Sequence, residues 1–224
     1  EFADQIARTA PVVGFHSIER SSEYVGACPS GMSTIAIDEA DGDFASFVGE
    51  AITAWPTPNG DDTAAVMFTS GTTGQPKGVV ITQANYAFAG KTMAEAADLA
   101  PTDRQLVVLP LFHANAQYYS FASAIWTGAS VALMHTFSAS RFLAQAARHQ
   151  ATCASLFAAP IRMILARSGP EAGMALRHCW FAQNISEEQF ETISAWLGCR
   201  PRQLYGMTET IPAVLTDDTT DPRH

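Results

Sequence analysis

The chain has little positive charge, no basic run, no long apolar run and no paired cysteines. Its 224 residues include 13 Lys and Arg against 22 Asp and Glu, for a net charge of −9. Nucleic-acid binding relies on clustered positive charge, so this composition argues against a nucleic-acid partner. No apolar segment approaches the ~20 residues of a membrane-spanning helix and no amino-terminal leader is recognisable, so we expect no membrane insertion.

The four cysteines are widely separated along the chain. The spacing of Cys28, Cys153, Cys179 and Cys199 suits neither a zinc site nor a redox pair. We expect reduced, mostly buried thiols of a cytoplasmic protein. Apolar residues make up 47% and charged residues 16% of the chain, which is typical of a globular protein.

From about residue 64 onward, apolar strand-like runs alternate with helical runs. The predicted strands lie near 64–69, 105–109, 129–134, 152–157, 176–181 and 202–205. This alternation predicts an α/β fold, with a mainly parallel sheet and helices on both faces. The carboxy-terminal region, 64–224, would form the chemical core.

The first region, 1–63, is less regular and contains no chemical motif. We expect an irregular α/β supporting segment. Its predicted strands, near 12–15 and 34–37, would bound an irregular hairpin or loop. A short helix is predicted at 41–51, followed by a surface linker at 56–62.

A hydroxyl- and glycine-rich stretch follows the apolar run 64–68, and we read it as a loop between a strand and a helix. Residues 69–78 contain four hydroxyl side chains, three glycines and Lys77. Glycines let the backbone approach an anion closely, while amides, hydroxyls and a lysine supply donors to phosphate oxygens. The stretch therefore predicts a polyphosphate cradle; the alternative is a polar turn between two strands.

Three further segments carry candidate chemistry. Tyr205-Gly206-Met207-Thr208-Glu209 follows the predicted strand at 202–205, and Leu109-Pro110-Leu111-Phe112-His113 follows another. The third segment is Trp180-Phe181-Ala182-Gln183-Asn184-Ile185, which begins at the end of the predicted strand 176–181. After it, Ser186 to Gln189 form a capping box, with Phe190, Ile193 and Leu197 at helical spacing before Gly198.

Together these motifs resemble those of the adenylate-forming superfamily, which includes acyl-CoA synthetases, peptide-synthetase adenylation domains and firefly-type luciferases. The resemblance covers about residues 60–212 and implies the large amino-terminal domain of such an enzyme. These families activate a carboxylic acid with ATP. The Thr-Thr-Gly loop, the Phe-His pair and the Tyr-Gly-Met-Thr-Glu form look more like acyl-CoA ligases than peptide-synthetase domains.

The resemblance implies ATP, Mg²⁺ and coenzyme A as cofactors or co-substrates, and a role for each motif residue. ATP phosphates would be held by Thr69, Ser70, Gly71, Thr72, Thr73, Gly74 and Lys77. The nucleotide would also contact Tyr205 and Gly206, with the Tyr205 ring against the adenine, while Thr208 would meet the α-phosphate and Glu209 would hold Mg²⁺. His113 would lie beside the substrate carboxylate. The residues implied for catalysis are thus Lys77, His113, Thr208 and Glu209.

Two parts of the implied site depart from a simple pattern. Ala182, Gln183 and Asn184 occupy the place of a Gly-Gly-Ala-Pro-like loop that packs on the adenine; their amides could reach the base, or Asn184 could only lead into the next helix. Residues 114–119 could wall the acyl pocket. There, Asn115 and Gln117 either recognise a substituent or tie down the loop.

Complete members of the superfamily continue into a ribose-binding aspartate, a hinge and a mobile carboxy-terminal domain with a catalytic lysine. We expect none of these here, so the rest of a parent protein or a second chain would supply them. The function we expect is that of an incomplete acyl-CoA ligase, inactive or impaired alone. The alternatives are a non-catalytic nucleotide-binding fragment and an adenylation domain that loads a carrier protein.

Overall fold

The computed structural model describes residues 2–37, 49, 54, 56–69 and 75–217. The helix predicted at 41–51 lies almost wholly outside these ranges, as do residues 70–74 of the predicted phosphate loop. The chain packs as two compact units, Glu1–Pro58 and Asn59–His224. The division at residue 63 inferred from the sequence remains a prediction.

In its described residues the first unit contains two short α-helices and two short strands. They are α1 (Phe2–Thr9), β1 (Val13–Ser17), α2 (Ser21–Ala27) and β2 (Ser33–Ile37). The two strands pair in parallel, Val13 opposite Ser33. Parallel neighbours need a crossover connection, which α2 provides. Both predicted strands are present, and of the two predicted connections, a hairpin or a loop, the hairpin is wrong.

The second unit alternates strands and helices. Its strands are β3 (Thr63–Thr69), β4 (Lys77–Thr82), β5 (Arg104–Val107), β6 (Ser130–Leu133), β7 (Cys153–Phe157), β8 (His178–Ala182), β9 (Arg202–Tyr205) and β10 (Leu215–Thr216). Its α-helices are α3 (Gln83–Ala96), α4 (Ser123–Thr127), α5 (Phe142–Arg148), α6 (Ala158–Arg167) and α7 (Glu187–Leu197). A π-helix spans Asn115–Ala122, and a 3-10 turn spans Thr208–Thr210.

Six strands of this unit form one sheet in the order β10-β9-β8-β7-β5-β6. All neighbouring pairs are parallel except β10 with β9. The predicted mainly parallel sheet is confirmed. From β5 the chain first goes to β6 on one side and then returns to β7 on the other, so the topological switch point lies between β5 and β7.

One predicted strand does not belong to this sheet. The strand near 64–69 is β3, which pairs antiparallel with β4 to form a separate two-stranded ribbon, with Thr69 opposite Lys77. The predicted phosphate loop therefore joins two strands, β3 and β4. The prediction that it lies between a strand and a helix is wrong. A connection this short can join only antiparallel neighbours, since a parallel pair needs a dozen or more residues.

The large sheet is covered on both faces, as predicted, and β8 shows how. Cys179 and Phe181 point into a core cluster with α5, α6 and α7, where Phe142, Ile161 and Phe190 are fully buried. Trp180, between them, points to the opposite face and packs with Met93 and Tyr118. Successive side chains of a strand alternate between faces, so one apolar strand can build both layers.

Helix α7 forms as its sequence predicts. The Ser186 hydroxyl accepts from the Gln189 backbone N–H at 3.2 Å, while the Gln189 side chain accepts from the Ser186 N–H at 3.1 Å. Phe190, Ile193 and Leu197 are fully buried. Gly198 ends the helix in the left-handed conformation, φ 76°. This reciprocal cap and apolar stripe confirm the predicted helix start and end.

The remaining composition-based expectations concern thiols and membranes. The four cysteines are free; Cys153 and Cys179 are buried, while Cys28 and Cys199 are half-buried. Among the helices of the described ranges, none is long and apolar enough to cross a membrane.

Candidate functional site

The motif segments follow the carboxyl ends of parallel strands. Residues 109–113 come soon after β5, 183–185 come directly after β8, and 206–209 come directly after β9. Parallel strands present their carboxyl ends at one edge of the sheet, so the fold brings these three segments to the same edge. Ligands of open α/β sheets bind at this edge, beside a switch point.

The ribbon β3–β4 meets the acidic motif at this edge. The Thr69 hydroxyl donates a hydrogen bond to Glu209 Oε1 at 3.4 Å, although the two residues are 140 positions apart in the chain. Glu209 is exposed, and Lys77 lies opposite Thr69 in the ribbon with an exposed side chain. The contact joins the start of the phosphate loop to the acidic pentapeptide, the two segments we expected to converge.

The acidic pentapeptide presents its polar residues on an exposed turn. The Tyr205 ring is 60% exposed, which leaves it accessible to a planar ligand. Thr208 and Glu209 lie in the 3-10 turn, and the Thr210 hydroxyl accepts from the Met207 N–H at 3.0 Å. Gly206 is packed so closely that a Cβ there would lie 2.9 Å from Ala213 Cα. Only glycine fits this approach without displacing the turn.

The segment after β8 is held by Gln203 on the neighbouring strand. Gln203 Nε2 donates to the Gln183 carbonyl and to Asn184 Oδ1, both at 3.0 Å. Gln183 has φ 70°, a left-handed conformation that is uncommon for a residue other than glycine. Such outliers persist where surrounding contacts hold them, and they cluster at functional sites. Ala182 ends β8 beside this turn.

His113 lies on an exposed turn before the π-helix. Its ring packs against Phe112 with centroids 4.5 Å apart, and Phe112 is 72% exposed. Asn115, two residues later at the start of the π-helix, is buried and donates to Ser155 Oγ on β7 at 2.8 Å. Gln117 donates to the Leu111 carbonyl at 2.6 Å and accepts from the Tyr86 hydroxyl. Of the two interpretations of Asn115 and Gln117, the structure shows them tying down the loop.

Two tyrosines of the predicted pocket wall connect this segment to β3 and to the chain after the acidic pentapeptide. The Tyr118 hydroxyl lies 3.7 Å from Met67 Sδ in β3, and the Tyr119 hydroxyl donates to the Pro212 carbonyl at 3.1 Å. Burial raises the pKa of both, to about 12 for Tyr119. Both therefore remain neutral hydrogen-bond donors. The sequence signal that could have revealed these contacts is the pair of tyrosines close after His113. A buried tyrosine hydroxyl usually has a hydrogen-bond partner, so such a pair indicates two contacts.

Two hollows lie near these segments. An open groove of about 600 Å³ is lined by α3, the turn at Leu111, Gln117 and the exposed side chains of Ile125 and Trp126. A smaller cavity of about 140 Å³ lies between α3, β8, β9 and residues 212–216. Of residues 114–119, only Gln117 lines the groove and none lines the cavity. Their role as acyl-pocket wall stays a prediction.

Comparison with known proteins identifies the family. The sequence profile of the AMP-binding enzymes matches residues 5–224. The chain belongs to this family. The resemblance to adenylate-forming enzymes inferred from the motifs is thereby confirmed.

Relatives in the AMP-binding family include CoA ligases. A crotonobetaine/carnitine–CoA ligase of Shigella flexneri serotype 5b is 36% identical over 170 residues, which are 75% of this chain and 33% of that protein. A counterpart from Escherichia coli O157:H7 is 37% identical over the same length. The chain thus spans about one third of the length of these curated relatives.

Solved structures of AMP-binding enzymes share the fold. O-succinylbenzoate coenzyme A synthetase from Bacillus subtilis, in complex with AMP, is 29% identical; the match has a TM-score of 0.78 and covers 96% of this chain and 53% of that one. ATP-bound MatB from Rhodopseudomonas palustris is 21% identical with a TM-score of 0.82, covering 100% of this chain and 45% of the other. The latter likeness concerns the fold alone.

Proposed function

We propose that this chain is the nucleotide- and acid-binding part of an ATP-dependent acyl-CoA ligase. The observation that carries the proposal is the contact between Thr69 and Glu209, which joins the phosphate ribbon to the acidic motif at the carboxyl edge of the sheet. Family membership supports an adenylate-forming reaction. CoA is the proposed acceptor thiol because the curated relatives are CoA ligases by name.

In the proposed reaction the acid is activated in one step and transferred in a second. The carboxylate oxygen attacks the α-phosphorus of ATP, the bond to pyrophosphate breaks, and an acyl-adenylate forms. The thiolate of CoA then attacks the acyl carbonyl, a thioester forms and AMP leaves. Neither step needs a protein nucleophile, so the side chains of the site act by holding and neutralising charge.

The ATP phosphates are proposed to lie on the loop between β3 and β4. There, Thr69, Ser70, Gly71, Thr72, Thr73 and Gly74 would supply hydroxyl and amide donors, and Lys77 a positive charge. The α-phosphate would be bonded by the Thr208 hydroxyl. The chain has a net charge of −9, so ATP must be attracted locally against the overall field.

Magnesium is proposed to bind at Glu209. The exposed carboxylate and the Thr69 hydroxyl within 3.4 Å are hard oxygen donors, and Mg²⁺ in nucleotide sites is usually bound by one or two carboxylates together with phosphates. When bound, the ion would neutralise charge on the departing pyrophosphate. The chain's own residues fit such an ion without a dedicated protein cage.

The adenine is proposed to lie on the Tyr205 ring, with Gly206 at its edge and the turn Ala182–Asn184 beside it. The Asn184 amide oxygen already accepts a hydrogen bond from Gln203. The Asn184 NH₂ group and the Gln183 side chain would therefore form the hydrogen bonds to the base. His113, on its exposed turn, would lie beside the substrate carboxylate and donate a hydrogen bond to it.

The complete reaction is proposed for a parent protein longer than this chain, as the length of the relatives supports. A cation brought to the α-phosphate by domain closure would complete the transition-state contacts. We further propose that the protein acts in the cytoplasm, on a small-molecule carboxylic acid. Offering the parent protein CoA or a carrier protein, and assaying the thioester product, would identify the acceptor.

Calorimetric titration of the chain with ATP tests the nucleotide site. In the presence of Mg²⁺ we expect Lys77→Ala to weaken binding by about tenfold or more, because it removes a charged hydrogen-bond donor. Glu209→Ala should weaken binding with Mg²⁺ but not with EDTA. Lys91→Ala is the matched control, since Lys91 is exposed and pairs only with Glu95 on α3 at 3.9 Å among the described ion pairs. Unchanged affinity in both site variants would contradict the proposal.

A further inference from the structure

The cavity of about 140 Å³ lies between α3, β8, β9 and residues 212–216. Its wall is built from residues that flank the motif segments: Trp180 on β8, Leu204 on β9, and Pro212 and Ala213 after the acidic pentapeptide, with Met93 of α3 opposite. Leu204 immediately precedes Tyr205, and Pro212 follows Glu209 by three positions. The cavity therefore adjoins the end of β9, where the α-phosphate is proposed to be held.

The position of the cavity fits the acyl group of the substrate. The carboxylate must approach the α-phosphorus near Thr208, so the rest of the acid extends away from that point into neighbouring space. The groove of about 600 Å³ is the competing space, but it is open and its far wall is formed by the exposed Ile125 and Trp126. The smaller cavity is more enclosed than the groove, and its lining is mainly apolar.

The volume sets a limit on the acyl group. An engineered protein cavity of ~150 Å³ holds benzene, so a cavity of this size takes about six non-hydrogen atoms. Ordinary small-molecule pockets are larger, ~300–1,000 Å³. The cavity suits a short acyl group and is too small for a long aliphatic chain.

Trp180 lines the cavity, lies farther than Leu204 from the carboxyl ends of the strands, and is held by its neighbours. Its side chain is 1% exposed; the His178 ring packs edge-on against it at 4.3 Å, and the Arg202 guanidinium lies 4.6 Å from its ring centroid. Arg202 is itself fixed, because it donates to the backbone carbonyls of Ala96 and Asp217. An indole packed between two neighbours cannot swing away to lengthen the cavity without breaking these contacts.

We propose that the acid activated at this site is short, with about six or fewer non-hydrogen atoms beyond its carboxylate, and that Trp180 sets this limit. The inference rests on the proposed function, since it assigns the acyl space of the same site. It also narrows the substrate class, which the motif residues leave open.

Binding of stable acyl-adenylate analogues to the chain tests the inference. The probes are 5′-O-(N-acylsulfamoyl)adenosines with acetyl, butyryl, octanoyl and dodecanoyl groups, compared with the unacylated sulfamoyl adenosine by calorimetry. We expect the butyryl analogue to bind at least about tenfold tighter than the unacylated one, and the dodecanoyl analogue to lose that gain. Equal or tighter binding of the dodecanoyl analogue would overturn the inference and favour the larger groove. No gain for any acyl group would also overturn it, leaving a packing void.

Two variants change the cavity in opposite directions. Ala96→Leu on α3 fills it, so the butyryl gain should disappear while the unacylated analogue binds as before; Ala166→Leu on α6 is the matched control. Trp180→Phe shortens the wall with little loss of packing and should admit the octanoyl analogue. If the filled variant kept the butyryl gain, the inference would be overturned while nucleotide binding stood. If no adenosine analogue bound the unmodified chain, both the proposed function and this inference would fail.

Discussion

Asp103 joins the amino ends of three parallel strands, at the edge of the sheet opposite the motif segments. It lies just before β5 and is 4% exposed. Its carboxylate accepts from Thr152 Oγ1 at 2.7 Å, from the Ala100 N–H at 2.7 Å and from Arg177 Nε and Nη2 at 2.9 and 2.5 Å. Thr152 precedes β7 and Arg177 precedes β8. Removing this carboxylate should therefore loosen the fold without touching the site.

The size of the effect follows from the pKa of Asp103. Burial alone would raise this pKa, but the hydrogen bonds from Arg177, Ala100 and Thr152, with the charge of Arg177, outweigh it and lower the pKa from 3.8 to about 2. The difference corresponds to about 2 kcal/mol of folding free energy. Because the folded-state pKa is the lower one, this stability is fully present above the unfolded pKa near ~4. It is lost as the pH falls from there through about 2.

We predict that Asp103→Asn lowers the unfolding free energy at pH 7 by about 2 kcal/mol, or the melting temperature by about 4–8 °C. The difference from the unmodified chain should shrink as the pH falls below ~4. Urea and thermal unfolding across pH 7 to 2.5 measure both. Asp61→Asn is the matched control, because Asp61 is exposed. An unchanged melting temperature, a pH-independent difference or a weakened affinity for ATP would refute the reasoning.

Three further substitutions test the fold and the site. Ser186→Ala removes the cap of α7 and should cost about 1 kcal/mol in urea unfolding, without changing the affinity for ATP. Gly206→Ala forces a Cβ against Ala213 and should cost about 1–3 kcal/mol; if stability and ATP affinity were both unchanged, the close approach would be refuted. Gln203→Ala removes the hydrogen bonds that hold the turn at Gln183. We expect the melting temperature to change little and the affinity for adenosine nucleotides, measured by calorimetry, to fall several-fold. An equal fall in the affinity for guanosine nucleotides would argue against contact with the base.

The parts of this fold that could be predicted from the sequence depend on neighbouring residues. The cap at Ser186 and the apolar stripe of α7 use hydrogen bonds and contacts within one helix, so spacing alone reveals them. The inner strands β7 and β8 read as apolar runs because nearly all of their residues, on both faces, are buried. Motif segments directly after such strands could then be placed at one edge without knowing any distance.

The parts that could not be predicted depend on distant partners. The apolar run at 64–69 reads like the other strands, yet it pairs with β4 because of the short loop between them. The two-residue β10 carries too little pattern to be recognised. Asp103 belongs to no recognisable sequence motif, since its partners Thr152 and Arg177 are far along the chain.

The position of the phosphate ribbon depends on the segment that carries His113. The ribbon forms a two-stranded sheet of its own, and its Met67 and Ile81 pack with Tyr118 and Leu204 in one buried cluster. Tyr118 and its neighbour Tyr119 are 0% and 6% exposed. A wide π-turn alters the angle between consecutive side chains, and here both rings point inward, one to the ribbon and the other to the carbonyl of Pro212. One turn of backbone therefore contacts both the ribbon and the segment after the acidic pentapeptide, and in the proposed reaction it would help to hold the acid and the nucleotide in the orientation that in-line attack requires.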